Sequence, residues 1–411
     1  MIKRMKNCLG FLLFLCSLCI YSVKVFAGTE DNDSTLIIAV GDTTLQTAYI
    51  QGAINYCNKT GGGTVRLTPG TYRIAPIKML SNITLRIDSG ATLLGSPNMA
   101  DWTVAGSLKN LLYTGSALTN VRITGRGTID GSGAPWWAAY NANNAIKRPR
   151  LIYLSNVTNL TIDSLTIQNS PSFHIVPNTC TNVVIDHITM NTDKNSPNTD
   201  GIDPSQSYNV LITNCSISVG DDNIAIKAGG NLGVTAGCQD ITVANCTFGY
   251  GHGLSIGSET NGGYNNLRVT GCTFNKTTNG IRIKSNLASG GLVTNTYYSN
   301  ITMTGVTNPI IIDWNYSPPA TPPVPPLVPA GANLFFNNIT ITGSANGGIF
   351  NGLTNSIIQN IVMTNANISA KKGMTINYAN GVTFKNVIIN KAAAKNGTNV
   401  TCVGVTGIKG F

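Results

Sequence analysis

Aligned on their apolar residues, the segments Asn198–Asp203 (NTDGID), Gly220–Ile226 (GDDNIAI), Gly251–Ile256 (GHGLSI) and Asn279–Lys284 (NGIRIK) put Ile202, Ile224, Leu254 and Ile281 in one column. Two residues ahead of it stand Asp200, Asp222, His252 and Asn279, separated by 22, 30 and 27 residues. Each interval is about one turn of a β-solenoid, whose neighbouring rungs lie about 4.7–4.9 Å apart. The spacing therefore predicts an outward column of Asp200, Asp222 and His252, with Asp221 beside Asp222. Burying so many acids would be costly, whereas lining a groove costs less and lets like charges raise at least one pKa. One protonated and one ionised carboxylate is what glycoside hydrolysis needs, an acid for the leaving oxygen and a base for water. Arg282 and Lys284 alternate along one strand and so project to the same face. A guanidinium fork beside an ammonium suits a sugar carboxylate. Alone, an Asp pair or an R-x-K is more often structural. Their coincidence on adjacent rungs reads as a site for an acidic polymer.

The elements that must position these residues are legible as a repeat. Asn followed by alternating apolar and small polar residues recurs at Asn82, Asn120, Asn159, Asn182, Asn209, Asn266, Asn300, Asn338 and Asn360, with Asp240 and Gly381 in the same role. Alternation marks half-buried strands, and repetition at 21 to 39 residues predicts an all-β fold, a right-handed parallel β-helix built as a single domain. Six residues after the anchor, Cys215, Cys246 and Cys272 align with Leu165, Ile188 and Val306. These three are expected in a core ladder, as small hydrophobes. Ile50, Ala53, Ile54 and Cys57 have helical spacing, ended by Gly61–Gly63, and predict a helix capping the N-terminal end of the solenoid. Seven prolines between Pro318 and Pro329 predict a stiff loop at the groove rim.

Residues 1–27 read as a secretory leader: a basic start at Lys3, Arg4 and Lys6, an apolar stretch from Leu9 to Ile20, and Val25-Phe26-Ala27 before the cut. The apolar stretch falls short of the ~20 residues of a membrane span. The mature chain, 28–411, is expected to be secreted. Lys3, Arg4, Lys6 and Lys24 leave with the leader, taking the formal charge from +10 to +6. Mild basicity favours a polyanionic partner, but no basic cluster interleaved with aromatics points to nucleic acid. Seven cysteines remain, an odd number that requires at least one free thiol. Cys57, Cys180, Cys238 and Cys402 are the possible disulfide formers. No C-x-x-C occurs in the mature chain and the three His are scattered, so no metal or cofactor is expected.

With these blocks in order, the chain resembles the polygalacturonases of glycoside hydrolase family 28, the bacterial endo-acting members above all. The signature blocks are Asn198–Gly201, Gly220–Asp222, Gly251–Gly253 and Arg282–Lys284; supporting phrases are Gly125–Gly131, Trp136-Trp137 and Ser170–His174. The resemblance implies hydrolysis of polygalacturonate with inversion and without metal, and the chain is expected to be a monomer. It implies Asp221 as general acid, Asp200 and Asp222 as the pair activating water, and His252 as support for the acid. Arg282 and Lys284 would bind the uronate carboxylate and Tyr316 the sugar. His174 is a further candidate for substrate contact, and His187 is read as structural on the strand Val183–Met190. Many relatives carry Cys where this chain has Asn223. The alternatives are exo action, or a pectate lyase on the same solenoid, which would need acidic Ca²⁺ ligands and an Arg base.

Overall fold

The computed structural model describes residues 25–30, 33–38, 44–229, 237–317 and 323–411. Residues 1–24, most of the segment read as a leader, lie outside them, as do Pro318–Pro322 of the proline-rich stretch. Residues 25–27 open the strand Val25–Glu30, which pairs antiparallel with Asp33–Ile38.

The chain winds as a parallel coil. Each turn returns a strand to the side of its predecessor, in register, so that Val121, Leu160, Val183, Val210, Ile241 and Leu267 form one continuous inward file. Parallel crossovers of this kind are right-handed. Alternation decides what is inside: in Thr181–Asp186 and Tyr208–Thr213, Val183, Ile185, Val210 and Ile212 are buried while their neighbours, apolar Val184 and Leu211 included, are not. Fully burying one such side chain contributes about 1.5–3 kcal/mol, and the files join in one hydrophobic core running from Leu36 to Val400. An acid at Ile212 would interrupt two rung contacts at once.

The recurring Asn does more than open a strand. Asn120, Asn159, Asn182 and Asn209 all have positive φ, between 50° and 61°. The ladder skips them: Thr119 pairs with Thr158 and Val121 with Leu160, leaving Asn120 and Asn159 at a corner. Asn tolerates this conformation better than other non-Gly residues. Each side chain then donates Nδ2 to the Oδ1 of the rung before, at 2.8–3.0 Å from Asn120 to Asn209. This ladder fastens the bend from one rung to the next between Asn82 and Asn209.

The expected cap is present. Thr47–Lys59 is an α-helix with Ile50, Ala53, Ile54 and Cys57 buried, followed by Gly61, Gly62 and Gly63 at positive φ. Cys215, Cys246 and Cys272 occupy the expected core ladder, each Sγ donating to the carbonyl two residues before it. The proposed disulfide partners require correction. Cys180 and Cys238 are buried free thiols at equivalent positions two rungs apart, with Ser207 on the rung between, donating to Leu154 O and Lys227 O respectively, and Cys402 is a half-buried free thiol. A rung fixes each cysteine against its own neighbours, which leaves none of these three a sulfur in reach. His187 also departs from its expected strand. It stands exposed at a positive-φ corner between Thr181–Asp186 and Thr189–Asn191, paired with Asp186 at 2.8 Å. Among the described residues no helix is long and apolar enough to cross a membrane.

Candidate active site

One face of the coil is a file of short strands: Ile152–Ser155, Ile175–Asn178, Ile224–Ile226, Leu254–Gly257, Asn279–Lys284 and Asn308–Asp313. The column read from the sequence is its inward register. Ile202 bridges Ile175 and Ile224, Ile224 pairs with Leu254, and Leu254 with Ile281. Asp200, Asp222 and His252 accordingly precede it on successive rungs, tied by Gly201 N–H to Asp222 O (2.9 Å) and His252 N–H to Asp221 O (2.8 Å). The two glycines around His252 are required by that crowding. A Cβ on Gly251 would meet Asn223 Oδ1 at 2.6 Å, and one on Gly253 would meet Asn279 O at 2.1 Å. Fully buried Asn223 fastens this turn, donating to Ile217 O and Tyr250 O and accepting Gly253 N–H at 2.8 Å.

The three carboxylates have different surroundings. Asp221 is the most open, its side chain 22% exposed. Its Oδ1 takes Asp222 N–H at 2.8 Å and lies 3.1 Å from His252 Nδ1, while Asn198 reaches Oδ2 at 3.4 Å. Burial would raise its pKa, but the hydrogen bond and charge of His252, the Asp222 N–H and the Lys284 charge together hold it below the usual carboxylate range. Asp200 is buried, and that burial, reinforced by the charges of Asp203 and Asp221 against Lys227, pushes its carboxyl well above the usual range. The surroundings therefore push the two carboxyls in opposite directions, Asp221 down and Asp200 up.

Asp222 is 1% exposed and fully engaged. Arg282 Nη2 donates to Oδ1, Lys284 Nζ to Oδ2 at 2.8 Å, and Ser255 Oγ to Oδ1 at 3.0 Å; Arg282 Nε also holds Ser255 Oγ at 3.0 Å. Arg282 and Lys284 do share a face, as alternation requires. They do not stand free in a groove: both are buried against Asp222. Tyr316 lies over the pair, its ring centroid 5.9 Å from Arg282 Cζ and 5.4 Å from Lys284 Nζ.

His174 must be corrected. It is completely buried, with Nδ1 2.9 Å from Asp200 O and Nε2 2.8 Å from Thr192 Oγ1, and burial lowers its pKa to about 4. A neutral ring beneath the Asp200 backbone cannot meet a sugar in the groove; it positions Asp200. Ser255, Asp203 and Lys227 went unread in the sequence. Ser255 had a signal, since it is the outward residue between Leu254 and Ile256 and falls opposite Arg282. Asp221, Asp222 and His252 bring ligand atoms within 4.8 Å of one another. A divalent ion there would face two fixed cations that already take both oxygens of Asp222, which is a poor fit.

A parallel β-helix carrying clustered aspartates beside an Arg/Lys pair on one face defines a carbohydrate hydrolase of the solenoid type. The sequence profile of Glycosyl hydrolases family 28 matches residues 57–383, and the chain belongs to that family. It is 36% identical over 308 residues to an endo-polygalacturonase of Pectobacterium carotovorum subsp. carotovorum, covering 69% of this chain and 75% of that one. Among solved structures it is similar to the polygalacturonase from Erwinia carotovora ssp. carotovora, at 30% identity and a TM-score of 0.68, over 93% of this chain and all of that one. The family 28 exopolygalacturonase of Yersinia enterocolitica shares the fold, with a TM-score of 0.77 at 22% identity, over 89% of this chain and 75% of that one.

Proposed function

We propose that the protein is a secreted, monomeric polygalacturonase that cleaves α-1,4 bonds between galacturonate residues inside the chain, with inversion. The observation that carries this reading is the convergence of Asp221, Asp222, Asp200 and His252 with Arg282 and Lys284 on adjacent rungs of a family 28 chain. A uronate carboxylate entering beside Tyr316 competes with Asp222 for Arg282 and Lys284, whose charges recognise it. Asp221 is the proton donor because its carboxyl is the one open to the groove, where the glycosidic oxygen must lie. It is ionised in the free protein, so the proton must be held when substrate binds. Excluding water and drawing Lys284 towards the uronate both raise its pKa, and His252 Nδ1, 3.1 Å away, is placed to pass it a proton. Water held by Asp222 and Asp200 attacks the anomeric carbon and gives up its proton to the pair. The C–O bond breaks and the leaving oxygen takes the proton of Asp221.

The raised pKa of Asp200 favours a second assignment, with Asp200 as acid and Asp221 as base. An activated aryl galacturonide separates the two, because a good leaving group needs no acid. Asp221→Asn should be inactive on polygalacturonate yet recover turnover on the aryl substrate; recovery by Asp200→Asn instead would reverse the roles. Reducing ends should appear with a rapid fall in viscosity, without an ultraviolet-absorbing product and unaffected by chelator. Monomer release from the outset would make the action exo, and a chelator-sensitive unsaturated product would make it a lyase.

A further inference from the structure

Beneath the aspartates lies a second group of charges that these roles leave unused. Lys227 follows the Ile224–Ile226 strand, opposite Ser205. Its Nζ stands 4.0 Å from Asp200 Oδ2, 4.0 Å from Asp203 Oδ2 and 3.5 Å from Glu259 Oε2, and 5.2 Å from the Phe173 ring centroid. Its side chain is 14% exposed and that of Asp203 wholly buried. Three carboxylates thus surround one ammonium. Neither oxygen of Asp203 takes a hydrogen bond among the described residues, and neither does Asp200 Oδ1. A buried acid normally has donors to offset its lost hydration, so Asp203 does not act as a hydrogen-bonded strut. Burial holds its carboxyl up at about 8, so below that pH it carries a proton and leaves the ammonium to Asp200.

We propose that Lys227 is a positioning residue whose ammonium is the counter-charge that lets Asp200 ionise to activate water. The inference rests on the reading of Asp200 as a base. The remaining groups facing Asp200 do not supply the counter-charge. Asp221 and Asp222 on the next rung are acids, Arg282 and Lys284 are spent on Asp222, and His174 touches only the Asp200 carbonyl. Arg148, from the loop before Ile152–Ser155, feels Asp200 at longer range but donates its hydrogen bonds to Pro171 O, Pro197 O and Asn198 Oδ1. Burial pushes the Asp200 carboxyl up, the neighbouring acids add to this, and Lys227 is the charge that opposes them.

The test is the pH profile of kcat/KM on polygalacturonate for the wild type, Lys227→Met, Lys227→Arg and Asp203→Asn. An opposite charge within about 4–6 Å is worth about 1–3 pH units. Lys227→Met should move the acidic limb upward by that order, whereas Asp203→Asn, which replaces a carboxyl that is uncharged across that limb, should leave it near the wild-type position. Lys227→Arg should also keep it there, with KM on the plateau little changed in all three. A limb that stays in place in Lys227→Met, or that moves as far in Asp203→Asn, overturns the proposal; so does a raised KM in Lys227→Met with an unmoved limb, which makes Lys227 a substrate ligand. If Lys227→Met does not fold, Lys227→Gln takes its place with the same expected shift. Asp200→Asn tells the two readings apart. Near wild-type turnover there removes Asp200 as base, whereas an inactive Asp200→Asn beside an unshifted limb in Lys227→Met removes only the role of Lys227.

Discussion

Asp222→Asn should cost stability as well as turnover, and the stability loss can be worked out from the contacts. The Asp222 carboxylate is 1% exposed and is the ion-pair partner of both Arg282 and Lys284, whose side chains are only 10% and 9% exposed. An amide keeps the shape and one acceptor oxygen but removes the charge, leaving two buried cations without their counter-ion. Breaking a buried pair in this way costs about 3–5 kcal/mol. At about 2 °C per kcal/mol for a large domain, melting should fall by about 6–10 °C. Asp221→Asn is the control: its carboxyl is partly exposed, its Asn Oδ1 can still accept Asp222 N–H, and the pair it loses with His252 is worth at most about 1 kcal/mol. Both variants should be inactive on polygalacturonate, and only Asp222→Asn should melt early by calorimetry or circular dichroism. Adding Lys284→Met to Asp222→Asn should restore part of the loss, because it removes one of the stranded charges, with a coupling of about 0.5–3 kcal/mol in the cycle. Equal melting of Asp221→Asn and Asp222→Asn would refute the argument, since it would mean that Arg282 and Lys284 do not lean on Asp222 in the free protein.

Other outcomes follow from the corners, the buried acids and the thiols. Asn209→Ala should destabilise by about 2–3 kcal/mol, combining a non-Gly residue at positive φ, about 1–2 kcal/mol, with the lost side-chain bond to Asn182, about 1 kcal/mol; Asn209→Gly should cost less, and denaturation midpoints read both. Asp203 has its pKa raised by burial to about 8, against about 3.9 in an unfolded chain. The folded state therefore keeps a proton that the unfolded state has shed. That contribution to stability is complete below about pH 4 and is lost as pH rises towards about 8, so Asp203→Asn should flatten the decline in melting temperature across that window. Thiol reagents should label Cys402 quickly and the buried Cys180, Cys215, Cys238, Cys246 and Cys272 only on unfolding; reductant should leave melting unchanged, and rapid labelling of Cys246 would contradict the core ladder.

The sequence by itself determined the coil, its period and the rung on which each aspartate sits. Those properties are one-dimensional: alternation fixes inside against outside, and equal intervals bring Ile202, Ile224, Leu254 and Ile281 into register whatever the side chains do next. The capping helix and the cysteine ladder were legible for the same reason. Pairing among outward polar groups was not, because it depends on residues some sixty positions apart meeting in three dimensions at a particular depth. Alternation put Arg282 and Lys284 on the right face, but only the packed structure closes them on Asp222 through Ser255. The phrase around His174 suggested a groove residue, yet its ring is turned beneath Asp200 and buried. The repeated Asn was read as the start of a strand, although its left-handed corner and its ladder of side-chain bonds exist only when one rung lies on the next. Two adjacent aspartates look alike in a string of letters. Depth and neighbours divide them, leaving Asp221 open beside His252, Asp222 locked between two cations, and Asp200 buried beside Lys227.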